Sequence, residues 1–172
     1  MRTRPTPTLV ERVMREDDFI VSKTDTKGII TYGNRTFIEF AGYSSEELIC
    51  TNHNIIRHPD MPRGAFKLLW DTVSNGREFN AYVKNLSKDG GFYWVFANIT
   101  PDFDEKGQIV GYFSVRRKPR ASAIRTISEV YRLMCAEEHR IGGKEGMAAS
   151  IALLTKILED KGMSYEELVF SI

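Results

Sequence analysis

The chain has 172 residues with 42% hydrophobic and 27% charged side chains, enough to bury the core of one domain with a small appendage. A formal net charge of +1 supplies no basic face for nucleic acid, and no apolar run approaches the length of a spanning helix. The two cysteines, Cys50 and Cys135, lie far apart without a CxxC spacing, so reduced thiols in a cytoplasmic protein are expected.

The basic start Met1-Arg-Thr-Arg-Pro has no apolar stretch behind it and is not a secretion signal. Thr8 to Glu16 is expected to form a short amphipathic helix, with Leu9, Val13 and Met14 on one side. Phe19 to Asp25 and Gly28 to Tyr32 predict a strand hairpin around a turn. Asn34 is expected to cap a helix carrying Phe37, Ile38 and Ala41, which Gly42 ends. Ser44-Ser-Glu-Glu47 has the spacing of a capping box for a second short helix through Ile49.

The segment His53-Asn-Ile-Ile-Arg-His-Pro-Asp-Met-Pro-Arg63 then gathers two imidazoles, two guanidiniums, an amide and a carboxylate in non-helical chain. So much polarity beside apolar sequence points to a pocket for a large, anionic, partly aromatic ligand. Pro62 marks the first turn of a longer helix, with Asp60 or Met61 ahead of it, and Asp60 is read first as its cap. Phe66, Leu69, Trp70 and Val73 recur at helical spacing up to Gly76. Three strands follow, Glu78 to Leu86, Gly91 to Pro101 and Gln108 to Lys118, joined by hairpin turns. Strands, then short helices, then strands predict an α+β fold, an antiparallel sheet with helices on one face. From Ala121 the chain turns helical, breaks at Gly142-Gly143, and restarts at a capping box, Ser164-Tyr-Glu-Glu167. This tail has apolar positions enough either to cover its own sheet or to form a dimer or partner interface. The expected division is an N-terminal segment 1–16, a domain 17–118 and a helical extension 119–172.

That element order, with Tyr32-Gly-Asn34 opening the first helix, Phe40-Ala-Gly-Tyr43 ending it and Lys88-Asp-Gly90 leading into Tyr93-Trp94, resembles a PAS domain with five antiparallel strands. More narrowly, His53-Asn54, Arg57-His58-Pro59-Asp60-Met61-Pro62, Phe66, Trp70, Val83-Lys84-Asn85 and Tyr93-Trp94-Val95 resemble the sensory domain of the bacterial aerotaxis receptor. The resemblance implies a non-enzymatic redox or oxygen sensor that holds FAD without a covalent bond. It carries Asn34, Arg57, His58, Asp60, Phe66, Trp70 and Asn85 over as pocket or ligand-contacting positions. Where the family often has Trp this chain has Phe79, which weakens any stacking or electron-donor role there. The receptor continues into a membrane anchor and a coiled coil, whereas this chain stops at Ile172. The expectation is a one-domain cytoplasmic relative that signals to a separate protein. A chemoreceptor-like protein is the first candidate, then a histidine kinase or diguanylate cyclase, with a homodimer through the terminal helices possible.

Residue chemistry agrees with the resemblance without requiring it. Arg57 is suited to bidentate phosphate binding, or to pairing with Asp60. His58 either bonds phosphate or orients its own loop. Phe66 and Trp70, one turn apart, suit either plain core or a ligand cleft. Asn85, pointing inward from a strand, needs a partner such as a flavin ring edge, with Asn98 and Ser114 as weaker candidates for the same duty. Asn34 is a cap first and a ligand contact second. His53 falls where light-sensing flavin domains of this fold carry their adduct cysteine, and Cys50 falls too early, so a thiol-adduct photocycle is not expected. The competing readings are haem ligated by His53 or His58, a cofactor-free interaction module, and a metal-dependent hydrolase using His53, His58 and Asp60.

Overall fold

The structure, a computed structural model, describes residues 4–172; the start Met1 to Thr3 lies outside the described residues. Five strands, β1 Ile20–Asp25, β2 Ile30–Gly33, β3 Phe79–Leu86, β4 Phe92–Phe103 and β5 Ile109–Arg117, form one antiparallel sheet in the order β2-β1-β5-β4-β3. The strands alternate side chains between two faces. Ser22 and Thr24 of β1, Val83 and Asn85 of β3, Ala97 and Ile99 of β4, and Tyr112, Ser114 and Arg116 of β5 share the inner face.

Between β2 and β3 run α1 Arg35–Ala41, α2 Ser45–Leu48, a 3-10 turn His53–Ile56 and α3 Arg63–Val73. Local sequence chemistry sets the first two. Asn34 Oδ1 accepts from the Phe37 amide at 2.9 Å, and Gly42 closes α1 in the left-handed region at φ 73°. The Ser44–Glu47 capping box starts α2. These helices bury Phe37, Ala41 and Leu48 against Ile20, Ile30, Tyr93 and Val95 of the sheet.

After β5 come α4 Ala121–Ile141, α5 Gly143–Lys161 and α6 Tyr165–Ser171. They cover the domain's own surface. Ile127, Val130, Tyr131, Met134, Leu154 and Val169 enclose Met61 and Ala65 together with Tyr82, Trp94 and Phe96 of the outer sheet face. Tyr131 Oη donates to the Tyr82 carbonyl at 2.9 Å, and Phe79 stacks on Tyr165 with ring centroids 5.2 Å apart. Among the described residues no helix is long and apolar enough to cross a membrane.

Two expectations fail. Thr8 to Glu16 is extended, not helical. β4 overhangs the end of β5, where Phe96 faces Arg117, so its first residues, paired with β3 on one side, lack a strand on the β5 side. The N-terminal segment fills that place, with Thr8 N donating to Gly90 O (2.8 Å), Phe92 N to Val10 O (2.9 Å) and Arg12 N to Phe92 O (2.7 Å). Met14 is buried while Leu9 is 98% exposed, so the assumed apolar stripe does not exist. Satisfying sheet backbone outweighs a weak helical periodicity.

Asp60 does not cap α3 either. Pro62 occupies the cap position without a side-chain bond, and the cap is supplied from α4. Glu138 accepts from the amides of Arg63 (3.0 Å) and Gly64 (2.8 Å). Asp60 is instead bound by Lys84 Nζ at 2.6 Å.

Candidate functional site

A cavity of about 380 Å³ lies between the inner sheet face and the segment from the 3-10 turn through α3. That volume falls in the range of small-molecule pockets. Its body is apolar: Ile56, Phe66, Leu69, Val73, Val83, Ala97 and Ile99. Trp70 and Tyr112 meet edge to face at one side, 5.3 Å between centroids. Gly28 abuts the Trp70 indole there at φ 78°, where a Cβ would come 3.3 Å from the ring. Only glycine satisfies both the left-handed backbone and the indole.

The charged groups on this wall are all cationic: exposed Lys27, half-buried Arg57 and buried Arg116. Among the described residues no aspartate or glutamate lines it. Arg57 is held by its Nη2 bond to the Met61 carbonyl (3.1 Å), with its guanidinium 4.4 Å above the Phe66 ring. Burial, followed by the nearby Arg4 charge, lowers its pKa from the ordinary guanidinium value. Arg57 thus spends little of its donor capacity on protein and pairs with no carboxylate, Asp60 being taken by Lys84.

Deeper in, Arg116 is 2% exposed. It donates to Ser22 Oγ and lies over the Phe37 ring at 4.8 Å, while its Nε and Nη1 have no partner among the described residues. Ser22 Oγ also bonds His53 Nε2 at 3.0 Å, and the His53 ring stacks on Phe37 at 5.6 Å. Desolvation, reinforced by the Arg116 charge, pushes the His53 pKa down to about 3, so this imidazole is neutral. Asn85, 4% exposed, likewise leaves its Nδ2 without a partner. Buried donors left open this way need an acceptor from outside the protein.

Of the positions named from sequence, His53, Arg57, Phe66, Trp70, Asn85 and Ser114 share the cavity wall. Four others do not reach it. Asn34 spends Oδ1 on the Phe37 and Val21 amides and Nδ2 on the Phe19 carbonyl, so the cap is its role. His58 is buried outside the cavity. Its Nδ1 accepts the Asp60 amide at 3.1 Å, and burial, with Lys84 adding to it, lowers its pKa. Asp60 is on the surface beside it. Asn98 is on the outer face, donating to Asn80 Oδ1 at 2.9 Å, because strand alternation sends 97 and 99 inward and 98 outward. His53, inside, and His58 and Asp60, outside, therefore do not converge on a metal site. Sequence reasoning missed Arg116, Ser22, Lys27 and Tyr112. The parity of β5 that puts Ser114 inward also puts Tyr112 and Arg116 inward, and this was the available signal.

Comparison with known proteins agrees with this geometry. A family profile described as PAS fold matches residues 30–116, which is β2 through β5 and half the chain. The chain belongs to the PAS family. Its kinship is of the aerotaxis-receptor type: it is 37% identical to the aerotaxis receptor of Escherichia coli (strain K12) over 79% of this chain and 27% of that protein. It is 28% identical to the nitrogen fixation regulatory protein of Klebsiella pneumoniae over 67% of this chain and 23% of that one. The chain thus spans about a quarter of the length of these relatives. Among solved structures, the light-state LOV domain of the blue-light photoreceptor Aureochrome1 superposes with TM-score 0.57 at 21% identity, over 66% of this chain and 90% of that one. A light-oxygen-voltage domain studied with a flavin analogue gives 0.56 at 21%, over 64% and 83%. These two establish the fold. In this chain α4 to α6 are packed onto the PAS core.

Proposed function

We propose that this chain binds FAD non-covalently in the cavity and signals the redox state of the flavin to a separate partner. The carrying observation is the acid-free cavity, with open donors of Asn85 and Arg116 inside and Arg57 and Lys27 toward solvent. A flavin dinucleotide matches that arrangement. Its ring is flat and apolar with acceptors along one edge, for Asn85 and Arg116. Its pyrophosphate is anionic and suits Arg57, whose planar fork binds phosphate in bidentate fashion. When bound, the flavin supplies a reversible two-electron couple that changes charge and hydrogen bonding at the ring edge. The protein's task is to hold the ring dry and to repack around that change.

The aerotaxis-receptor kinship supports a signalling role, and the flavin analogue named for one LOV neighbour supports the cofactor class. A chemoreceptor-like protein is the proposed recipient. The test is the chromophore. Purified protein should be yellow, bleach on dithionite, and release FAD rather than FMN on denaturation. A colourless protein that takes up neither, or one with the Soret band of haem, rejects this reading.

A further inference from the structure

Arg116 is more than one donor among several. It is a guanidinium buried on β5, and the groups facing it carry no balancing charge. From β1 comes the Ser22 hydroxyl, from β4 the Tyr93 phenol, from the 3-10 turn the neutral His53 and from α1 the Phe37 ring, while the Asn85 amide of β3 shares the cavity wall. Burial pushes the guanidinium pKa down to about 10, the Tyr93 phenol opposing this, and the group stays charged near neutrality. Burying an uncompensated cation is costly. Such a charge is retained where a ligand supplies the counterion.

We propose that Arg116 is the charge partner of the reduced flavin, keeping the two-electron-reduced ring anionic so that reduction takes up one proton instead of two. This rests on the flavin reading above. In the balanced step the oxidised ring accepts two electrons from an external reductant and one proton from solvent. The second proton is never bound, because the negative charge left on the ring faces the guanidinium. His53 does not supply that proton: its imidazole is neutral and its Nε2 is engaged with Ser22. The oxidised ring is uncharged and gains less from Arg116, so the residue favours the reduced state.

The experiment is a potentiometric titration of the full FAD-loaded chain, followed by flavin absorbance at several pH values. For the wild type the midpoint should fall by about 30 mV per pH unit, the value for one proton in a two-electron couple. Arg116→Met should keep its yellow colour but lose at least tenfold in its preference for the reduced ring, lowering the midpoint by about 30 mV or more near neutral pH. Its slope at the acid end should steepen toward about 60 mV per pH unit, two protons. Arg116→Lys should move both values back toward wild type, since it restores a cation; Arg116→Gln stands in for Met if that variant does not fold. A wild-type slope of two protons, or an Arg116→Met midpoint and slope equal to wild type, overturns the role of Arg116 while leaving flavin binding intact. A wild-type chain that takes up no flavin overturns the flavin reading and this proposal together.

Discussion

The Glu138 carboxylate of α4 closes the first turn of α3 across the domain, accepting from the Arg63 and Gly64 amides and from Ser150 Oγ of α5 at 2.8 Å. Helix N-termini carry partial positive charge and unsatisfied amides, and this one takes its acid from a distant helix. Because α3 also carries Phe66 and Trp70 into the cavity wall, the bond joins the site to the C-terminal helices through one rigid element. Glu138→Gln keeps the shape and removes the charge. It should cost about 1–3 kcal/mol in urea unfolding, the range for losing charge-assisted bonds at a buried cap. Hydrogen exchange should rise first at the amides of Arg63 and Gly64.

The same carboxylate sets an acid limit. Burial opposes its ionisation, but the Gly64 and Arg63 amides, then Ser150 and the Arg63 guanidinium, outweigh that and hold its pKa below the ordinary glutamate value. A carboxylate depressed in the folded state contributes stability above its unfolded pKa and loses it as pH falls through the folded one. The Glu138→Gln penalty should therefore be full at neutral pH and shrink at strongly acid pH, measured as the difference in midpoint denaturant between the two proteins.

His53 sets a limit in a different window. Its folded pKa of about 3 lies below the unfolded value of 6.5, so the unfolded chain binds the extra proton between those values. Stability is complete above the unfolded pKa and declines as pH falls toward the folded one. In His53→Gln the slope of stability against pH across that window should be shallower by up to one proton, at most about 1.4 kcal/mol per pH unit. An unchanged slope would mean the ring is not desolvated as the geometry requires.

Arg57 and Asn85 should separate affinity from folding. Arg57→Ala removes a donor that makes one protein hydrogen bond, so the melting temperature should move little. Flavin affinity should fall about 10- to 100-fold, the worth of a charge-assisted bond to phosphate. Asn85→Leu removes a buried open amide and should leave the ligand-free protein as stable or more so. It should weaken flavin binding about tenfold, the scale of one neutral hydrogen bond. Fluorescence titration with oxidised flavin measures both. Ligand-free stability that falls sharply in Asn85→Leu would show the amide to be structural.

Strand alternation, the two capping boxes and the Gly142-Gly143 break were legible in the chain because each is a local signal. The polar segment was legible as chemistry but only half of it as geometry. Which side of the turn His58 and Asp60 fall on depends on Lys84, a partner remote in sequence. Arg116 was hidden for a related reason. In the run Val115-Arg-Arg-Lys118 it looks like a solvated charge, and the only sequence signal against that is the strand parity that turns Arg116 inward with Ser114. The extended N-terminal segment is likewise a response to an overhang of β4 that no local pattern encodes.

The packing of the C-terminal helices on α3 turns on Gly64. A Cβ there would lie 2.5 Å from Ser150 Oγ, 3.1 Å from Ile151 Cγ1 and 3.2 Å from Met134 Cε, so α3, α4 and α5 meet at a point with no room for a methyl group. Gly64→Ala has a helical propensity gain of roughly 1 kcal/mol in its favour. Overpacking by about 1–3 kcal/mol works against it, and displacing Ser150 also disturbs the Glu138 cap, so net destabilisation is expected. Ser150→Ala alone loses its bond to Glu138 and should be mildly destabilising. In the double variant the clashing oxygen is gone, so its loss should be smaller than the sum of the two single losses, a coupling readable in a double-mutant cycle. Strict additivity would mean that α5 does not rest on α3 at this glycine. Deleting Ala121 to Ile172 would strip Tyr82, Trp94 and Phe96 of their cover and uncap α3 at once. The Gly64 variant loosens the helices while leaving them in place, so a change in partner association without loss of bound flavin would assign transmission to this contact.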